Sequence, residues 1–196
     1  MQPVAIGIRP HSGWGAVVVV AGGSGAIEIV DRRKIVIADP TIQGANQPYH
    51  FAKDLPDPDR YLVECAAASE RLAWEGLREV VSEARRRQKA VVGCAILLAS
   101  GRKLPALANI LASHPLLHTA EGEFFRQSFR RAGERLKLHV TGIRERDLED
   151  RSQMTFGAGA KSLQREIAGL ANSLGAPWTA DQKNACLAAL LVLNRR

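Results

Sequence analysis

Residues 4–21 read VAIGIRPHSGWGAVVVVA, which is two apolar runs joined by a short polar turn. The first run, residues 4–8, is rich in β-branched side chains and predicts a strand. The second run, residues 15–21, holds four consecutive valines, and apolarity without alternation predicts a strand buried on both faces. Pro10, Ser12 and Gly13 between the runs predict a loop. The chain therefore begins as a β-meander.

The meander continues beyond these two strands. Residues 26–30 and 33–38 predict further strand, with a bend or bulge at residues 31–33. Residues 39–58 contain four prolines and predict a long irregular connection that ends in a helix cap at Asp57. The remaining predicted elements are a helix at 60–89, a strand at 90–99, a short helix at 104–113, a helix at 121–136, a strand at 137–143, a loop at 147–159, and helices at 161–174 and 179–193.

This order of elements defines a fold class. Three strands come first, and two more are reached through helical crossovers, which predicts three antiparallel strands followed by two parallel ones. The expected architecture is α/β: a five-stranded mixed sheet flanked by helices on both faces. A length of 196 residues suits a single domain over residues 1–196.

Composition limits the kinds of protein this chain can be. The net charge is +7 and the pI is about 9.8, so the surface either attracts polyanions such as nucleic acid or is merely solvated. The longest apolar runs, residues 16–21 and 90–99, are shorter than the roughly 20 residues that span a bilayer. Cys65, Cys94 and Cys186 are widely spaced without a C-x-x-C pair, which predicts buried free thiols in a reducing cytoplasm. The start of the chain does not have the pattern of a signal peptide.

Two segments resemble a known group of proteins. The run GIRPHSGWGAV at residues 7–17 resembles the opening of RuvC-type Holliday-junction resolvases and YqgF-like proteins, which begin Gly-Ile-Asp-Pro-Gly and then turn into a second strand. The run TADQKNACLAA at residues 179–189 resembles the closing helix of such nucleases. Together with the element order, this likeness identifies the chain as similar to the ribonuclease H-like superfamily.

The resemblance also implies which acids a nuclease of this kind needs. Such enzymes place an Asp in the first strand, an acid at the end of the fourth strand and one or two acids on the last helix, and two metal ions about 4 Å apart bind there. Here the first position is Arg9, residues 97–100 (LLAS) contain no acid, and only Asp181 matches. The resemblance therefore implies a degenerate site, with magnesium and other metals not expected. We hypothesise that Arg9 forms an ion pair with Asp181.

Several residues are candidates for binding an anion or nucleic acid. Arg9 and Ser12 follow the first strand, where they bind an anion or form an ordinary polar turn with Arg9 paired to a carboxylate. Residues 100–103 follow the fourth strand. They either bind phosphate at the start of the next helix or are only the polar residues that commonly begin a helix. An arginine stripe recurs at helical spacing and either contacts phosphates or is a solvated face. The candidates are Arg9, Ser12, Ser100, Arg102, Lys103, Arg126, Arg130 and Lys183, and the stripe also includes Arg131 and Arg135.

A smaller set could carry acid–base chemistry. His118 and Glu121 stand close together and could ligate a metal or exchange protons, although Thr119 could equally cap a helix whose first turn contains the acids. His11 lies at the first turn, and Asp181 either faces the same site or is an ordinary helix-start acid. His50 is either a residue of a lid over the site or a surface side chain.

Three functions remain open at this point. One is a ribonuclease H-like protein that binds nucleic acid or a protein without cutting. The second is an enzyme of different, phosphate-handling or hydrolytic chemistry that uses a cleft of His11, His118, Glu121 and Asp181. The third is a structural or protein-interaction module, a homodimer included, which would expose an apolar patch near Trp14, Trp74 or Trp178. An actin-like half would share the opening strands, but that fold normally needs two such halves.

Overall fold

The computed structural model describes residues 1–99, 101 and 103–194. Ser100 and Arg102, both anion-binding candidates, lie outside the described residues. The strands are β1 (Gln2–His11), β2 (Trp14–Ala21), β3 (Glu28–Val36), β4 (Lys89–Leu98) and β5 (Val140–Arg144). The helices are α1 (Pro48–Ala52), α2 (Pro58–Arg86), α3 (Leu107–Leu111), α4 (His114–Arg135), α5 (Leu148–Phe156), α6 (Ala160–Gly169), α7 (Ala171–Leu174) and α8 (Ala180–Leu193).

The five strands form one mixed sheet in the order β3-β2-β1-β4-β5. The pairs β1–β2 and β2–β3 are antiparallel, whereas β1–β4 and β4–β5 are parallel. Three antiparallel strands followed by two crossover strands is the arrangement that the sequence predicts. Because β1, β4 and β5 run in parallel, their carboxyl ends meet at one edge of the sheet, which we call the carboxyl edge.

The four valines of β2 show how the sheet is covered on both faces. Val17 and Val19 pack in one cluster with side chains of α2 and α4, and Val18 and Val20 pack in another with side chains of α8. All four are at most 1% exposed. Successive side chains of a strand point to opposite faces, so an unbroken apolar run predicts this burial.

The last helix lies unusually close to the first strand. A Cβ atom placed on Gly7 would lie 1.8 Å from the backbone oxygen of Ala185 and 3.2 Å from the Cβ of Ala189. Glycine on the strand and alanines on the helix remove the side chains that would otherwise hold the two apart. The helix start is held by a capping box in which the Thr179 hydroxyl and the Gln182 backbone N–H pair.

The helix predicted at residues 121–136 begins earlier than expected. This helix, α4, begins at His114, with Pro115 in its first turn, where the missing N–H has no intrahelical role. Thr119 therefore does not cap a helix, and its hydroxyl donates to the backbone oxygen of Pro115. This correction places His118 and Glu121 together on the first part of one long helix.

Other boundaries also differ from the prediction. The predicted loop at 147–159 contains α5, and the first residue of this helix, Leu148, is buried although most of the segment is polar. The predicted helix at 104–113 is only the five residues of α3. The proline-rich connection contains α1, and β3 is one strand with a bulge at Val30.

Two further expectations are met. The Asp57 side chain accepts from the Arg60 backbone N–H and caps α2. The three cysteines are buried and free. Within the described part of the chain, no helix combines the length and apolarity needed to cross a membrane.

Candidate functional site

Five polar side chains gather at the carboxyl edge. They come from the end of β1, the residue directly after β5 and the first turns of α8. We call this group the Arg9 cluster; its members are Arg9, His11, Glu145, Asp181 and Asn184.

Strand alternation and helix periodicity explain why these residues meet. Gly7 faces α8, so Arg9, two residues later, projects to the same side of the sheet. Asp181 precedes Ala185 by one helical turn, which brings it over Arg9 when Ala185 lies over Gly7. Glu145 follows the last residue of β5 and so reaches the same edge.

The Arg9 guanidinium is the centre of the cluster. Its Nη1 lies 2.8 Å from Asp181 Oδ1, and its Nε donates to Glu145 Oε1 at 3.1 Å. The Asn184 amide donates to the same Glu145 oxygen at 2.9 Å. The hypothesised Arg9–Asp181 ion pair is therefore present, and the side chains are 25% and 26% exposed.

His11 completes the cluster on the solvent side. Its Nε2 lies 2.7 Å from Arg9 Nη1 and 3.0 Å from Asp181 Oδ2. The imidazole stacks flat on the Trp14 indole, with ring centroids 4.1 Å apart, and Lys34 covers that indole at 4.5 Å. Burial lowers the pKa of His11 below 6.5, Asp181 opposes this shift and the positive charge of Arg9 adds to it. One ring nitrogen of His11 therefore lies against both the Arg9 guanidinium and the Asp181 carboxylate.

This environment predicts how His11 titrates. We expect an NMR titration to give His11 a pKa below 6.5, and Arg9→Gln to raise it because a nearby positive charge is removed. As pH falls below 6.5 the unfolded chain binds this proton before the folded protein does, so the contribution of His11 to stability is lost in that range. His11→Gln assigns the resonance, and Arg71→Gln on α2 is the control. A His11 pKa that is unchanged in Arg9→Gln would contradict the contact.

A second guanidinium lies at the end of β4. Arg126 on α4 donates from Nε to the Leu97 backbone oxygen at 3.2 Å. Burial lowers the pKa of Arg126, Glu123 and Glu145 raise it, and Arg9 lowers it. The charge of Arg126 therefore interacts with two members of the Arg9 cluster, Glu145 and Arg9 itself. The ends of β1 and β4 are thus both occupied by arginines.

Comparison with solved structures identifies the architecture. Thermus thermophilus RuvC in complex with Holliday junction substrate matches over 97% of this chain and 92% of its own, with a TM-score of 0.54 and 13% identity. A second Thermus thermophilus RuvC structure matches over 96% and 91%, with a TM-score of 0.54 and 14% identity. The chain has the ribonuclease H-like fold of RuvC. No protein-family model and no curated protein matches it in sequence.

The RuvC fold implies a magnesium site at the carboxyl edge, and the residues here do not fit one. Magnesium needs carboxylate oxygens that are free to bind it. Arg9 and His11 lie against both oxygens of Asp181, and Arg9 and Asn184 donate to Glu145. Arg9 and Arg126 are permanently charged and repel a divalent cation.

The chemistry candidates fall into two groups within the RuvC fold. His11 contacts Asp181, as described above. His118 lies instead against His114 and His50, while Glu121 is buried and binds His50. The contacts therefore do not join these four residues in the single cleft that the sequence predicts. The His50 side chain is fixed by its contact with Glu121, so it is not a loosely held surface residue.

The arginine stripe of α4 is divided among separate contacts. Arg126 turns to the end of β4, Arg130 lies over Gly142 of β5, Arg131 pairs with Glu70, and Arg135 covers the Trp74 ring at 4.3 Å. Arg131 and Arg135 are exposed, whereas Arg126 and Arg130 are half-buried, so the four arginines do not share one environment. Ser12 is exposed in the β1–β2 turn, Lys103 is exposed ahead of α3, and Lys183 is half-buried on α8.

The three tryptophans do not mark an exposed patch. Trp178 is buried and donates its indole N–H to the Ile167 backbone oxygen at 2.7 Å. Trp14 and Trp74 are half-buried beneath cationic side chains. Among the described residues, the exposed large apolar side chains occupy different parts of the chain: Met1, Val36, Val63, Val92 and Met154. These observations do not favour a structural module.

Sequence reasoning missed two members of the Arg9 cluster. Glu145 lies two residues after the predicted last strand, which ends at residue 143, and an acid close to a strand end reaches the carboxyl edge of a parallel sheet. Asn184 follows Asp181 by three residues and shares its helix face. Both signals were present in the sequence, but only the strand order shows that they converge.

Proposed function

We propose that this protein binds nucleic acid at the carboxyl edge of its sheet and does not hydrolyse it by the two-metal route. The observation that carries the proposal is Arg9, whose guanidinium bridges Asp181 and Glu145 at 2.8 and 3.1 Å. In this proposal the site is degenerate: an organic cation stabilises the carboxylates that metal ions would otherwise bind. The protein acts in the cytoplasm, which suits its buried free thiols.

Charge and fold support nucleic acid as the partner. The net charge of +7 favours polyanions, and one of the similar RuvC structures is a complex with a Holliday junction. Arg9 is paired with two carboxylates, so other positively charged side chains near the carboxyl edge make the phosphate contacts. We assign them to Lys103, Arg130 and Lys183.

A binding and cleavage assay tests the proposal. Labelled single-stranded, duplex and four-way-junction DNA are incubated with the protein and Mg²⁺ across a salt series. We expect binding that weakens with salt and no cleavage. Lys183→Ala is expected to reduce the slope of log K against log salt by about 0.9, which is the effect of one phosphate contact. The control is Lys137→Gln, since Lys137 precedes β5 at the opposite edge.

Arg9→Asp tests whether Arg9 prevents Mg²⁺ from binding at the carboxyl edge. It places a third carboxylate beside Glu145 and Asp181, so we expect Mg²⁺ to raise the melting temperature of this variant and not that of the wild type. Arg9→Asn is the neutral control. Mg²⁺-dependent cutting by the wild type would refute the non-catalytic proposal. The absence of DNA binding at low salt would refute nucleic acid as the partner.

A further inference from the structure

We propose that His50, His114 and His118 form a binding site for a zinc-type transition-metal ion. The three side chains each offer one ring nitrogen, and these nitrogens lie within 4.8 Å of one another. The residues come from α1 and the first two turns of α4, whereas the Arg9 cluster comes from β1, α8 and the residue after β5. The site is additional to the proposed nucleic-acid function and does not depend on it.

Helix geometry brings two of the ligands together. His114 and His118 are four residues apart on α4, so their imidazoles project from one face. Their Nε2 atoms are 3.1 Å apart. Two nitrogens that bind one tetrahedral zinc ion at 2.0–2.1 Å lie about 3.3 Å apart, so this spacing already suits a shared ion.

His50 approaches the same point from α1. Its ring centroid lies 5.2 Å from that of His114 and 4.7 Å from that of His118. A short helix inside a proline-rich connection would not hold a side chain firmly by itself. The contact with Glu121 supplies the missing restraint.

Glu121 orients the third imidazole. This carboxylate is only 2% exposed, and its Oε1 accepts from the His50 backbone N–H at 3.1 Å and faces His50 Nδ1 at 2.8 Å. When Oε1 accepts a hydrogen bond from the Nδ1–H group, the lone pair of the His50 ring is on Nε2 and faces away from Glu121 for a metal ion. Metal-binding histidines commonly have such a carboxylate partner, which sets the tautomer and raises ligand basicity.

The ligand set indicates the class of metal. Imidazole nitrogens suit zinc and neighbouring transition metals, whereas magnesium and calcium prefer oxygen. Three histidines leave a fourth tetrahedral position for water or an anionic oxygen. His114 and His118 are exposed, and His118 lines a cleft of about 300 Å³ that it shares with Glu123 and Arg126. The open position is therefore accessible from solvent.

Metal titration of the full chain tests the site. Chelator-treated protein is titrated with Zn²⁺ by calorimetry and with Co²⁺ by visible absorption. We expect one ion per chain and the intense visible bands of tetrahedral Co²⁺. His114→Ala and His118→Ala are expected to weaken binding at least 100-fold. Glu121→Gln is expected to weaken it roughly 10- to 100-fold, as loss of a carboxylate behind a ligand does.

Two controls make either result decisive. His139→Gln removes an imidazole outside the cluster and should leave the affinity unchanged, and Arg9→Asn should do the same because it alters only the Arg9 cluster. Circular dichroism shows whether each variant is folded, and the exposed His114 and His118 can be replaced without opening the core. Equal Zn²⁺ affinity in wild type and His114→Ala, or no binding by the wild type, would overturn the proposal.

Discussion

Gly7→Ala is expected to destabilise the protein by about 3 kcal/mol or more, a large share of the roughly 5–15 kcal/mol that holds a domain folded. The added Cβ would lie 1.8 Å from the backbone oxygen of Ala185, so either α8 or β1 must move. A backbone atom cannot rotate away as a side chain can. Movement of α8 would also carry Asp181 away from Arg9.

Urea unfolding measures this effect against a matched control. Gly169→Ala adds the same methyl group at an exposed helical position with no atom within 4 Å. Because alanine favours helix over glycine, we expect Gly169→Ala to be neutral or stabilising by up to about 1 kcal/mol. A Gly7→Ala variant no less stable than Gly169→Ala would mean that α8 does not pack directly on β1.

Phe129→Ala is expected to destabilise the protein by about 3–5 kcal/mol. Phe129 on α4 is fully buried, and its ring lies against Gly15 of β2. Truncation leaves a cavity between α4 and the sheet, and α4 carries Arg126 and two of the three proposed metal ligands, His114 and His118. We therefore expect the nucleic-acid and metal-binding properties to weaken together with stability.

A double variant identifies the cause of that loss. A Cβ on Gly15 would lie 2.6 Å from Phe129 Cζ, so Gly15→Ala should destabilise the wild type but partly fill the cavity in Phe129→Ala. Met154→Ala, at a residue that is 86% exposed, should change stability by no more than about 0.5 kcal/mol. Additive effects of Gly15→Ala and Phe129→Ala would contradict the packing described here.

The two polar clusters have different physical character. In the Arg9 cluster, positive and negative side chains satisfy one another, which leaves little capacity for a metal ion. At His50, His114 and His118, three imidazole nitrogens converge and the buried Glu121 carboxylate orients one of the rings, an arrangement that we propose binds a metal ion. In our proposals, a metal ion therefore binds at His50, His114 and His118 rather than at the carboxyl edge.

Local patterns predicted some parts of the protein well and others poorly. The valines of β2 and the apolar β4 predicted buried strands because burial on both faces has a simple sequence signature. The start of α4 was predicted seven residues too late, because a proline such as Pro115 marks either the end of one segment or the first turn of the next helix. The helix within 147–159 was missed because its polar residues conceal a few buried contacts such as Leu148.

The sequence by itself determined the order of the elements, the mixed sheet and the presence of Arg9 directly after the predicted first strand. Those properties depend on periodicity and residue type, which are local. Only the tertiary structure decided that Arg9 joins Asp181 to Glu145, and that His50 meets His114 and His118. Arg9 lies 136 positions before Glu145 and 172 before Asp181, and His50 lies 64 positions before His114. Contacts over such distances depend on how strands align and helices cross, which no local pattern contains.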